Sequence, residues 1–169
     1  MRFGPAEADR HTQRATPASG PGGAASSYIL QIMHPGSDKT IDSLAWIHVR
    51  DRRLLSVRTA GKTKFYLPGG KREPGEGDVG GLCREIREEL GVELDPLTFR
   101  FFAVLEEQAD GFADGRLVRM TCYTAEHRGE PAPSREIAEA AWLGSADASA
   151  CPPAGQRILR LLADAGLVD

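Results

Sequence analysis

Residues 69–92, GGKREPGEGDVGGLCREIREELGV, decide how this chain folds. Glu85, Glu88 and Glu89 lie three and four residues apart, so on a helix their carboxylates share one face. Val79, Leu82, Cys83, Ile86 and Leu90 line the other face at helical period. Like charges at such spacing cost an isolated helix about 0.2–0.5 kcal/mol per pair. A divalent cation turns that repulsion into attraction, and oxygen-only ligands suit Mg²⁺ or Mn²⁺. One face packs on a core; the other presents acid.

The flanks agree with this reading. Phe65-Tyr66-Leu67 predicts a strand that ends at Pro68, and Gly69 and Gly70 then let the backbone pass close to a metal or a phosphate. Pro74-Gly75 predicts the turn into the helix. Asp78 suits the positive end of the helix dipole, and Gly91 is the expected C-terminal stop. Gly80 and Gly81 each cost about 1 kcal/mol relative to alanine inside a helix. Close packing of the helix on a sheet is the expected reason for them.

Glu76 follows Gly70 after five intervening residues, and seven more separate it from Arg84-Glu85-Ile86-x-Glu88-Glu89-x-Gly91-Val92. This spacing resembles the signature box of the Nudix hydrolase family at every specified position. The resemblance implies an α/β/α sandwich, with a mixed central sheet, the loop and helix of the box on one face and a C-terminal helix on the other. It also implies Mg²⁺-dependent (or Mn²⁺-dependent) hydrolysis of a nucleoside diphosphate linked to some other group.

The family's residue roles carry over position by position. The Gly69 carbonyl, Glu76, Glu85, Glu88 and Glu89 become the expected metal ligands. Glu85, Glu88 and Arg84 form the expected catalytic set, with Arg84 orienting Glu85 or Glu76 by paired hydrogen bonds. Glu85 ranks first as general base, ahead of Glu106, Glu130, Glu136 and Glu139. Arg58, Lys64, Gly70 and Lys71 are the expected substrate-binding residues. As solvated surface charges, Arg58 and Lys64 would need no such role.

Substrate choice is less sharply marked. The proline expected of ADP-ribose pyrophosphatases would fall near Glu107 and Gln108, and the tyrosine of dinucleoside polyphosphate hydrolases near Gln108; both are absent. Leu54–Arg58 resembles the coenzyme A pyrophosphatase motif, but its distance to Gly69 is too short. A (d)NTP-type substrate giving a monophosphate and pyrophosphate remains the expectation. Hydrolysis of a nucleotide sugar, ADP-ribose or another such derivative is the alternative, followed by a non-catalytic nucleotide sensor and a diphosphate isomerase. Tyr66, Phe65 or Phe102 are candidates to stack on a base, against core packing for each.

The 169 residues suit one domain, and a net charge of −3 argues against broad nucleic-acid or membrane partners. Cys83, Cys122 and Cys151 are odd in number and without CxxC spacing, as expected of reduced thiols in a cytoplasmic protein, monomer or homodimer. Residues 1–36 read as a disordered or loosely attached tail, of which residues 1–27 are rich in Ala, Gly, Pro, Ser and Arg and Tyr28–Met33 is a candidate edge strand. Residues 37–169 form the expected domain. Within it, Ser43–Val49 and Leu54–Arg58 predict a hairpin about Asp51-Arg52-Arg53. Thr98–Leu105 and Leu117–Ala125 predict strands, the first closed by Glu106–Gln108. Glu126–Arg135 predicts a loop over the site, Glu136–Leu143 another strand, and Gln156–Ala165 the terminal helix.

Overall fold

The computed structural model describes residues 40–169, so the tail and the Tyr28–Met33 strand lie outside the described residues. Ten regular elements follow: β1 Thr40–Trp46, β2 Val49–Arg50, β3 Arg53–Thr59, α1 Asp78–Leu90, β4 Glu93–Leu94, β5 Arg100–Gln108, β6 Leu117–Thr124, β7 His127–Arg128, β8 Ile137–Leu143 and α2 Pro153–Asp164. The strands form sheets of order β1-β6-β5, β2-β3-β8 and β4-β7. β1 runs parallel to β6, while the other pairs are antiparallel. The expected α/β/α sandwich with a mixed sheet is therefore present.

Alternation along the strands places the two cores. Leu44 and Trp46 of β1 and Leu55 and Val57 of β3 pack with Leu82, Ile86 and Leu90 of α1. Ala45 and Leu54, pointing the other way, join Ile158, Leu159 and Leu162 of α2. Burying both faces suits strands rich in leucine and valine. No helix among the described residues is long and apolar enough to cross a membrane.

Several expectations change. β1 does not form a hairpin with β3; it pairs in parallel with β6, and its other edge takes Leu44 N to Gly70 O and Trp46 N to Pro68 O, at 2.8 and 2.9 Å. Of the expected hairpin the turn end forms: Val49 and Arg50 of β2 pair with Leu54 and Arg53 of β3 about Asp51 and Arg52 at φ 50° and 59°, the double left-handed turn that matches strand twist. The Phe65–Leu67 strand reduces to one bridge, Val57 to Tyr66, because Phe65 N turns to Ala150 O and Pro68 has no N–H. β5 starts at Arg100 rather than Thr98, and Glu106–Gln108 pair with β6 instead of closing the strand. Val79 is 37% exposed and leaves the apolar stripe to Leu82, Ile86 and Leu90.

The 126–135 loop is fastened rather than free. β7 pairs with β4, and Ala132 N and Ser134 N donate to Leu90 O and Glu89 O at 3.0 and 2.9 Å. Those are carbonyls that the end of α1 would otherwise leave unpaired.

Candidate active site

The floor of the site is backbone. Gly69 has φ 136°, and a Cβ there would run into the Leu44 carbonyl; a Cβ on Gly70 would lie within the Glu85 carboxylate. Space therefore requires glycine at Gly69, where the obstacle is backbone, while a side chain at Gly70 would displace the Glu85 carboxylate. The helix glycines divide: Gly81 is buried, and its Cβ would stand 3.0 Å from Leu44 Cδ1 and 3.1 Å from Glu76 Oε2, whereas a Cβ on Gly80 meets only Glu76 Cγ at 3.7 Å. Close packing explains Gly81 and leaves Gly80 without a reason.

Arg84 gathers the acids that α1 and its preceding loop bring together. Its Nε and Nη2 donate to the two oxygens of Glu76 at 3.0 and 2.9 Å, its Nη1 to Glu85 Oε1 at 3.0 Å, and its Nη2 also to the Lys71 carbonyl at 3.1 Å. The paired bonds lower the Glu76 carboxyl to a pKa of about 2, helped by the Glu73 N–H. Arg84 thus spans both acids it is expected to orient.

Glu89 stands apart. It is 8% exposed, and its Oε2 accepts the Gly69 N–H at 2.8 Å. Burial pushes its pKa up to about 8; the Gly69 N–H opposes this, while the charges of Glu85, Glu136 and Glu88 add to it. Glu136, one of the alternative bases, therefore adds its charge to this group of acids. Glu88 pairs with Arg135, Nη1 to Oε2 at 2.8 Å.

Among the described residues no three His, Cys, Asp or Glu side chains stand gathered as they would around a metal ion. Glu76 and Glu85 face Arg84, Glu88 faces Arg135 and Glu89 faces Gly69. The donor set nevertheless fits a hard divalent cation. Every side-chain donor is a carboxylate. Glu89 is a buried acid whose neighbouring carboxylates all raise its pKa, a deficit that a cation would reverse.

A cavity of about 350 Å³ opens beside this floor, sharing Gly69, Gly70 and Glu89 with it and walled by Leu44, Val57, Tyr66 and Met120. Tyr66 is the expected aromatic that lines it; Phe65 and Phe102 pack on the α2 core. The expected phosphate contacts are already engaged. Arg58 binds Glu139 through Nε and Nη2, and Lys64 Nζ donates to Asp110 Oδ1 at 2.7 Å. Lys71 is exposed and meets the site through its carbonyl alone. Among the other loop acids, Glu130 pairs with Arg50 and Glu106 lies 3.9 Å from Arg119.

Three residues were missed. Asp110 lines the cavity and also accepts the Tyr66 hydroxyl at 2.6 Å; Lys62 lines it too. Arg72 ties the loop down, donating to Asp78 Oδ1 at 2.8 Å and to Asp42 Oδ2 at 2.7 Å, while the Tyr123 hydroxyl reaches Asp78 Oδ2 at 2.7 Å. No local pattern marks Asp110 and Arg72, since the side chains paired with them or with Asp78 lie 30 to 46 positions away except within the Arg72–Asp78 pair.

A profile of the NUDIX domain matches residues 39–165. A "MutT-like protein" of Streptomyces ambofaciens is 46% identical over 59 residues, 33% of this chain and 38% of that protein, so the match spans well under half of the relative's length. The E. coli ORF135 protein superposes with a TM-score of 0.60 at 26% identity, covering 75% of this chain and 93% of that one. A MutT NUDIX hydrolase from Burkholderia pseudomallei gives 0.58 at 26% identity, over 73% and 98%. With the glycine floor, the arginine-clamped acids and a profile match across three quarters of its length, the chain belongs to the Nudix hydrolase family.

Proposed function

We propose that this protein hydrolyses a (d)NTP-type nucleotide to the nucleoside monophosphate and pyrophosphate, using Mg²⁺ or Mn²⁺. The observation that carries the reading is the sharing of Gly69, Gly70 and Glu89 between the acidic floor and the cavity. A base and sugar in the cavity would leave their phosphates over the carboxylates.

Diphosphate bridges resist water because their anionic oxygens repel a nucleophile. A divalent cation, held by Glu85, Glu88 and Glu89 with Glu76 and the Gly69 carbonyl, would supply charge neutralisation and acidify a bound water. The protein's own part is orientation and proton transfer. Arg84 fixes Glu85 through Oε1, which leaves Oε2 to take the proton of the attacking water. As water adds to the phosphorus on one side of the α–β bridge, the bridging P–O bond breaks and its electron pair leaves with the other half, the pyrophosphate or the monophosphate. Glu136, close to Glu89, is the alternative acceptor. Free Cys83, Cys122 and Cys151, two of them buried, suit the reducing cytoplasm in which such a protein would work as a monomer or homodimer.

The test is a panel of nucleoside triphosphates, nucleotide sugars, ADP-ribose and dinucleoside polyphosphates with Mg²⁺, products separated by ion exchange. Pyrophosphate and a monophosphate from triphosphates are expected. Turnover confined to nucleotide sugars or ADP-ribose would replace the substrate, and binding without turnover of any nucleotide would replace the reaction with sensing.

A further inference from the structure

Arg135 reaches the acid cluster from outside α1. It directly precedes Glu136 and β8, and its φ of 52° lies in the left-handed region that non-glycine residues avoid. The bend is held on both sides: Ser134 N donates to Glu89 O at 2.9 Å and Ile137 N to Ser134 O at 3.1 Å. A strained residue is therefore fastened to the last turn of the helix that carries the acids. From there its guanidinium pairs with Glu88 at 2.8 Å, while Arg84 stands 3.9 Å from the same oxygen. Arg84 is committed to Glu76 and Glu85. Arg135 is 59% exposed and, among the described residues, pairs with no other carboxylate.

We propose that Arg135 is the exchangeable counter-ion of this site. It holds Glu88 while the acids lack a divalent cation, and it turns to the phosphate oxygens of the nucleotide once Glu88 is engaged by one. The inference rests on the carboxylates being a metal seat. Two cations competing for one carboxylate cannot both be fully satisfied, and the incoming divalent charge repels the guanidinium. An exposed ion pair is weakly held, so the exchange meets little resistance. The planar fork of a guanidinium then suits the paired oxygens of a phosphate. The anchored backbone keeps the side chain within reach of both partners.

Mn²⁺ binding to the full chain, followed by the paramagnetic resonance of the free ion without nucleotide, tests the first half. Arg135→Ala should bind Mn²⁺ about three- to tenfold more tightly than the parent, with Arg135→Lys between them. Arg50→Ala removes the Arg50–Glu130 pair of the same loop and touches no acid of the cluster. It should leave Mn²⁺ affinity unchanged, which separates a lost competitor from a loosened loop. With saturating metal, Arg135→Ala should raise KM for the nucleotide about tenfold while kcat changes less than about threefold. Unchanged or weaker Mn²⁺ binding in Arg135→Ala, or an unchanged KM, overturns the proposal and leaves the hydrolase reading standing. A parent protein that binds no Mn²⁺ and turns over no nucleotide overturns both.

Discussion

The two helices pack on opposite faces of the same strands and are built to different ends. α2 buries Ala154, Gly155, Ile158, Leu159 and Leu162, with no charge among them. α1 buries Leu82, Ile86 and Leu90 in the same manner, but also Gly81 and the acid Glu89. Both helices bury one glycine against a close neighbour, but only α1 buries a carboxylate, which opposes stability. α1 therefore carries a group that its own folding does not favour, whereas every buried residue of α2 serves packing. The contrast separates a scaffold helix from a site helix without reference to any ligand.

Truncating each helix should widen that contrast most. Leu162→Ala in α2 should cost about 2–5 kcal/mol in urea unfolding and leave turnover per folded molecule unchanged. Ile86→Ala in α1 should cost a similar amount and lower turnover too, because Glu85 and Glu89 ride on the same turn. Equal effects on turnover would erase the distinction.

Glu89→Gln sharpens the comparison by setting function against stability. Turnover at saturating Mg²⁺ should fall at least about tenfold. The folded pKa of Glu89, about 8, lies above its ordinary 4.5, so the metal-free fold binds this proton more tightly than the unfolded chain does. Stability from this group is thus full below about pH 4.5 and is lost as pH rises through about 8. In EDTA at pH 9 the variant should be more stable than the parent, by on the order of 2 kcal/mol. Parallel stability-against-pH curves for the two proteins would show that Glu89 is not a strained acid.

The smallest expected effect lies within α1 itself. Gly80→Ala should stabilise by up to about 1 kcal/mol, since its Cβ meets only Glu76 Cγ at 3.7 Å. Gly81→Ala should gain less or lose stability, as Leu44 and Glu76 must give way. Matched melting shifts for the pair would put the packing account of Gly81 in doubt.

The difference between near and distant partners also explains what could be read in advance. The acidic face of α1 follows from residues within one turn of each other, and the pairing of Arg84 with Glu76 and Glu85 from residues at most eight apart. The α2 stripe was legible for the same reason. The hairpin expected of Ser43–Val49 and Leu54–Arg58 formed only at its turn, where Val49 pairs with Leu54, because β1 found its partner in β6 more than seventy residues away. Lys64 was read as a phosphate contact because Asp110, 46 positions on, could not be known to face it. Glu126–Arg135 was legible as a loop over the site, but not its fastening to the carbonyls at the end of α1.

By itself, then, the amino-acid order determined the helix with its line of acids, the glycines beneath it and the family to which they point. Helical geometry sets the placement of side chains three and four apart, whatever surrounds them. Tertiary structure alone decided the burial that raises the Glu89 pKa, the parallel seat of β1, the Asp110–Lys64–Tyr66 cluster and the approach of Arg135 to Glu88. Each depends on segments far apart in the chain meeting in space, and no local spacing encodes which of the possible meetings buries the most apolar surface.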